Sequence, residues 1–126
     1  MPTVILVEDD TSLRELTHEA LECFGYDVVA FESADTAWGF LQQDLHCRPD
    51  LLVTDVRMPG ALNGFRLARL VCTQMQLPAV ICSGFCAEAV DEIAEVSVFL
   101  PKPWTMEDLQ AACGEALDCT SRIRAT

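Results

Sequence analysis

Asp55 ends a short apolar run, Leu51-Leu52-Val53, and a Pro59-Gly60 turn follows it. Taken alone, such a residue reads as a strand-end acid making an Asx turn. Three other apolar runs stop in a similar way. Thr3 to Val7 empties into Glu8-Asp9-Asp10, Ala79 to Cys82 into Ser83, and Val96 to Leu100 into Lys102. An acid cluster, an acid, a hydroxyl and an amine thus stand at four strand-like endings. Asp9 and Asp55 together form a hard-oxygen site suited to Mg²⁺, which takes about six oxygen ligands at roughly 2.0–2.1 Å and keeps several waters. A carboxylate beside that ion can attack phosphorus and become an aspartyl phosphate. A lysine and a hydroxyl can then bind the remaining phosphoryl oxygens.

These groups meet only if the runs lie side by side and point the same way. The hydrophobic pattern supplies that arrangement. Thr3 to Val7 is a first strand. Ser12-Leu13-Arg14-Glu15 has the capping-box pattern, and Leu13, Leu16, Ala20, Leu21 and Phe24 follow at helical spacing, with Gly25 as the closing residue. Tyr26 to Phe31 is a second strand. Ser33 opens a helix with Ala34, Ala37, Trp38, Leu41 and Leu45 on its inner face. After the run into Asp55, Asn63-Gly64 starts a helix with Leu67, Leu70, Val71 and Met75 inward. Strand four follows Pro78. A weaker helix is expected over Ala87 to Ala94, and a fifth strand over Val96 to Leu100. Thr105-Met106-Glu107-Asp108 caps a last helix, which carries Leu109, Ala112, Cys113, Ala116 and Leu117 on one face. Five strands alternating with five helices predict a parallel sheet covered on both faces, a doubly wound α/β fold. Functional groups in such sheets gather outside the carboxyl ends of the strands.

At 126 residues the chain fits a single domain with its core over about residues 3–119 and a frayed tail over 120–126. A net charge of −12 argues against direct nucleic-acid binding, which needs a basic face. No stretch reaches the roughly 18 uninterrupted apolar residues of a membrane span, and no signal peptide precedes Thr3, so a cytoplasmic location is the default. Lys102 is the only lysine among eight basic residues. The seven cysteines contain no Cys-x-x-Cys pair. Cys23, Cys72, Cys82 and Cys113 fall at apolar positions and read as reduced core or surface thiols, and His18 and His46 as helix-surface histidines.

With these pieces in order, the sequence resembles a response-regulator receiver domain, the CheY-like, flavodoxin-like module of two-component signalling. The resemblance spans about Thr3 to Leu117. It rests on Ile5-Leu6-Val7-Glu8-Asp9-Asp10, Asp50 through Gly60, Ala79-Val80-Ile81-Cys82-Ser83-Gly84 and Phe99-Leu100-Pro101-Lys102-Pro103. It implies a five-stranded sheet of order 2-1-3-4-5 and makes Asp55 the phosphoacceptor. Asp9 would hold Mg²⁺ directly, Glu8 through water, and the backbone carbonyl of Arg57 would be a further ligand. Ser83 would move toward the phosphoryl group, Lys102 would contact it, and Phe99 would turn inward as the switch residue. The implied partners are a histidine kinase or histidine phosphotransfer protein, and a downstream protein on the helix 4–strand 5–helix 5 face.

Three features depart from the family pattern. Glu8 stands where Asp is more frequent, Ala61-Leu62 adds a residue after strand three, and Gly84-Phe85 follows Ser83 where a small residue such as Ala is usual. Two other classes fit less well. Hydrolases with an aspartyl-phosphate nucleophile usually carry a second acid two positions later, where this chain has Arg57. A flavin or nucleotide carrier needs a glycine-rich loop after strand one, and Glu8-Asp9-Asp10-Thr11-Ser12 is acidic and lacks glycine. A passive phosphate shuttle and a receiver segment of a hybrid kinase remain alternatives within the family, although Met1 just before strand one favours a natural start.

Overall fold

Five strands of five residues each, β1 (Thr3–Val7), β2 (Asp27–Phe31), β3 (Leu51–Asp55), β4 (Ala79–Ser83) and β5 (Ser97–Pro101), form one parallel sheet of order β2-β1-β3-β4-β5. The computed structural model describes residues 2–43, 49–55, 64–83, 97–101 and 104–125. Its helices are α1 (Thr11–Cys23), α2 (Ala34–Leu41), α3 (Gly64–Met75) and α4 (Met106–Ala125). The helix expected over Ala87 to Ala94 and the Leu45 end of the second helix lie outside the described residues.

Alternation along the central strands sends successive side chains to opposite faces, and both faces are dry. Val4, Leu6, Leu51, Val53 and Val80 pack with Ala20 and Leu21 of α1 and Leu109, Ala112 and Cys113 of α4. Ile5, Val7, Leu52, Ala79 and Ile81 pack with Ala34, Ala37 and Leu41 of α2 and Leu67, Ala68 and Val71 of α3. The sheet is therefore covered by α1 and α4 on one side and by α2 and α3 on the other. β2 lies at an edge, where Val29 and Ala30 are exposed.

Several local expectations shift. The cap of α1 is Asp10, not Ser12: its Oδ1 accepts from Leu13 N at 2.9 Å, and Arg14 N donates to Asp10 O at 2.8 Å. Both residue types cap well, but Glu8 N is already bonded to Phe31 O at 3.1 Å, so the chain leaves the sheet and enters the helix two residues earlier. Leu16 is 58% exposed, while Thr17 and Ala20 are buried. Small residues let α1 approach the sheet closely, and Thr17 satisfies its hydroxyl by donating to Leu13 O at 2.7 Å. Cys23 is exposed and Cys72 half-buried, so of the four cysteines expected at apolar positions only Cys82 and Cys113 belong to the core. The last helix continues to Ala125 in place of a frayed tail, since no Gly or Pro interrupts it after Gly114.

Other local features form as expected. Ser33 caps α2 by accepting from Thr36 N at 3.2 Å. Thr105 and Asp108 cap α4 reciprocally, each side chain accepting the other's backbone N–H at 3.1 Å. Gly25, at φ +94°, closes α1 with Gly25 N to Glu22 O at 3.0 Å and Tyr26 N to Leu21 O at 3.2 Å. α3 also ends on a left-handed residue, Gln76 at φ 54°, but with a different bond, Gln76 N to Cys72 O at 3.1 Å.

Candidate functional site

The register of β1 against β3 pairs Val7 with Thr54, so Glu8 and Asp55 come next on neighbouring strands at their carboxyl ends. The turn into α1 then brings Asp9 alongside. One carboxylate oxygen from each of Glu8, Asp9 and Asp55 lies within 4.8 Å of the others. Glu8 is buried (5% exposed), Asp55 half-buried and Asp9 exposed. Three like charges this close repel unless a cation sits among them. The donor set is all oxygen, graded from a buried wall to an open rim, and fits a hard divalent ion that keeps some of its waters.

The turn carrying this cluster is tied down on several sides. Asp10 N donates to Glu8 Oε1 at 3.2 Å, and Arg14 Nη1 donates to the Glu8 carbonyl at 2.9 Å. Thr54 Oγ1 donates to the carbonyl of Asp55 at 2.9 Å. Beneath the cluster a narrow crevice of about 10 Å³ runs between Leu13, Thr17, Thr54, Asp55, Cys82 and Trp104. That is close to the smallest space that holds one water, so the floor of the site is nearly filled.

Of the residues singled out in the sequence, Glu8, Asp9 and Asp55 are brought together. Cys82 pairs with Asp55 across β3 and β4, so the backbone of Ser83 stands one position beyond it and pairs with Pro101. Phe99 lies in β5 opposite Ile81. Arg57 and Lys102 lie outside the described residues, as does His46. His18 is half-buried on α1 with its Nδ1 2.9 Å from Glu22 Oε1, a helix-surface pair apart from the carboxylate cluster. Sequence reasoning overlooked Arg14, Thr17 and Trp104. All three become neighbours of the site only through the packing of α1 and of the segment before α4.

Residues 4–113 match the family model of the response regulator receiver domain. The chain belongs to this family, the receiver domains of two-component signalling. It is 32% identical over 113 residues to the response regulator receiver protein CpdR of Brucella abortus, covering 86% of this chain and 91% of that one. It is 29% identical over 118 residues to the DNA-binding transcriptional regulator NtrC of Bradyrhizobium, covering 91% of this chain. There it spans about a quarter (24%) of the relative's length. Among solved structures, a response regulator receiver protein from Sinorhizobium medicae superposes with a TM-score of 0.84 at 26% identity, covering 94% of this chain and 96% of that one. The chemotaxis protein CheY4 of Vibrio cholerae shares the fold with a TM-score of 0.77 at 24% identity, covering 92% of this chain and 98% of its own. No helix among the described residues is long and apolar enough to cross a membrane.

Proposed function

We propose that this receiver accepts a phosphoryl group on Asp55 in a Mg²⁺-dependent reaction, from a histidine kinase or a histidine phosphotransfer protein in the cytoplasm. The observation that carries the reading is the convergence of the Glu8, Asp9 and Asp55 carboxylates at the ends of β1 and β3. Asp9, Asp55, the Arg57 carbonyl and, through water, Glu8 would hold Mg²⁺, which offsets the negative charge of the incoming phosphoryl group when bound.

A carboxylate oxygen of Asp55 attacks phosphorus. The new P–O bond forms as the P–N bond of a phosphohistidine, or the P–O bond of an acyl phosphate, breaks. The imidazole or carboxylate leaves with the electron pair, and the imidazole picks up its proton from solvent. Glu8, buried and held by the Asp10 amide, forms the inner wall of the pocket. Lys102 contacts the phosphoryl oxygens, Ser83 moves toward them, and Phe99 follows into the space released. A two-state element biased by one local charge is what a switch requires. The altered surface is residues 87–117, where a downstream protein binds. The chain's role is signalling, and its phosphoryl chemistry serves that role.

Incubation with acetyl phosphate or phosphoramidate and Mg²⁺, followed by intact-mass measurement, tests the first half. One acid-stable, base-labile phosphoryl adduct is expected, lost in Asp55→Asn; an adduct that persists in that variant moves the acceptor elsewhere. Amide exchange with and without beryllofluoride tests the second half. Changes confined to the Asp55 pocket, with residues 87–117 silent, would leave a passive phosphate shuttle.

A further inference from the structure

The phosphoacceptor reading assigns the acids of the pocket but not the cation beside them. Arg14 sits half-buried in the second turn of α1 and closes a loop on the β1–α1 turn. Its backbone N–H donates to Asp10 O at 2.8 Å, and its Nη1 reaches back six residues to the Glu8 carbonyl at 2.9 Å. That carbonyl belongs to the peptide joining Glu8 to Asp9, so its direction fixes where the Asp9 side chain starts. Glu8 N is pinned to Phe31 O, and Asp10 N to Glu8 Oε1. Arg14 supplies a further constraint on the peptide that carries two of the three clustered acids.

The choice of acceptor matters as much as the bond. A guanidinium so near an acid cluster would ordinarily take a carboxylate, in a charge-assisted and often bidentate pair. Such a pair would compete with a metal for the same oxygens. Among the described residues, Arg14 makes no ion pair; its side chain bonds a neutral carbonyl. The carboxylate oxygens are thereby not taken up by Arg14.

We infer that Arg14 is a positioning residue for the metal site, orienting the Glu8–Asp9 peptide so that Asp9 meets Mg²⁺ without itself touching the ion. This rests on the phosphoacceptor reading, and it makes a prediction opposite in sign to a simple field effect. Removing a positive charge beside a cation site should tighten Mg²⁺ if only the field matters. Removing an orienting partner should weaken it; outer-shell partners of metal ligands commonly contribute about 10–100-fold in affinity, and a bond to a backbone carbonyl belongs at the lower end of that range.

The test is a Mg²⁺ titration of the full chain, read by tryptophan fluorescence and by the shift in melting temperature, for wild type, Arg14→Met, Arg14→Gln, Arg14→Lys and Asp9→Asn. Mg²⁺ affinity about tenfold weaker in Arg14→Met and Arg14→Gln is expected, with Arg14→Lys recovering most of it because an ammonium can still donate to the carbonyl. Unchanged or tighter binding in the Met and Gln variants overturns the inference, even if both are less stable in EDTA. Should Arg14→Met fail to fold, Arg14→Gln and Arg14→Lys decide between the same outcomes. A wild-type protein that binds no Mg²⁺ overturns the phosphoacceptor reading and this inference with it, whereas wild-type binding lost in Asp9→Asn but retained in Arg14→Gln overturns the inference alone.

Discussion

β3 begins beside one aspartate and ends on another, and the two have opposite surroundings. Asp50, at the amino end, accepts from Thr3 N through Oδ2 at 2.9 Å while its own N–H donates to Thr3 O at 2.7 Å. It ties the entrance of β3 to that of β1. Asp55, at the carboxyl end, lies within 4.8 Å of two further carboxylates. A carboxylate facing a backbone donor is structural, whereas carboxylates facing each other invite a cation. The same contrast runs through both ends of the sheet. The amino end holds the closing turns of α1 and α3, and changes there should alter stability. The carboxyl end holds the acids, and changes there should alter chemistry.

The largest separation should come from the two aspartates themselves. Asp55→Asn should abolish the phosphoryl adduct. Asp50→Ala should keep it while lowering stability by about 1.5–3 kcal/mol, the range for a hydrogen bond to a charged group. Adduct mass and urea midpoint on the same samples check this, and a loss of phosphorylation in Asp50→Ala would erase the contrast.

Metal comes next. Mg²⁺ at ten times its Kd should stabilise the fold by about 1.4 kcal/mol, roughly 3–6 °C in melting temperature for a domain of this size. The shift should survive in Asp50→Ala and collapse in Asp9→Asn, with Glu8→Gln between them. An equal shift in all three variants would mean that the ion binds elsewhere.

Alkali should strike the other way. Burial pushes the Cys113 thiol from its ordinary 9.0 up to about 12. The Tyr26 phenol is also raised, first by burial and then by Cys113. The folded state therefore keeps protons that the unfolded chain has released, and stability should be lost as pH rises from 9.0 towards about 12. Urea midpoints at about pH 8 and about pH 10.5 should diverge in the wild type and less in Cys113→Ala. An unchanged slope in that variant would place the alkaline sensitivity elsewhere.

The smallest effects belong to the helix ends. Gln76 occupies a left-handed position that favours glycine, so Gln76→Gly should raise stability by about 0.5 kcal/mol. Gly25→Ala should lower it by about 1 kcal/mol for purely conformational reasons, since an added Cβ would meet nothing within 4 Å. Thermal melts measure both, and neither change should move Mg²⁺ affinity.

The sequence by itself determined the strands, their parallel arrangement and the three acids. Apolar runs of strand length alternating with helical periodicity leave few ways to cover both faces of a sheet, and a carboxylate at the end of a buried run has one place to go. The closing glycine of α1 and the caps of α2 and α4 were legible for the same reason, because each depends on a few neighbouring residues. What only the tertiary structure decided was which of two adequate local solutions prevailed. Asp10 and Ser12 both cap well, but the bond from Glu8 N to Phe31 O sets where β1 releases the chain. Leu16 and Thr17 both fit a helical stripe, but close packing against the sheet selects the smaller residue and leaves the leucine in water. Arg14 could have reached several acids, but the fold turns the Glu8 carbonyl towards it. Local chemistry offers such alternatives at nearly equal free energy, and contacts between residues distant in sequence decide among them.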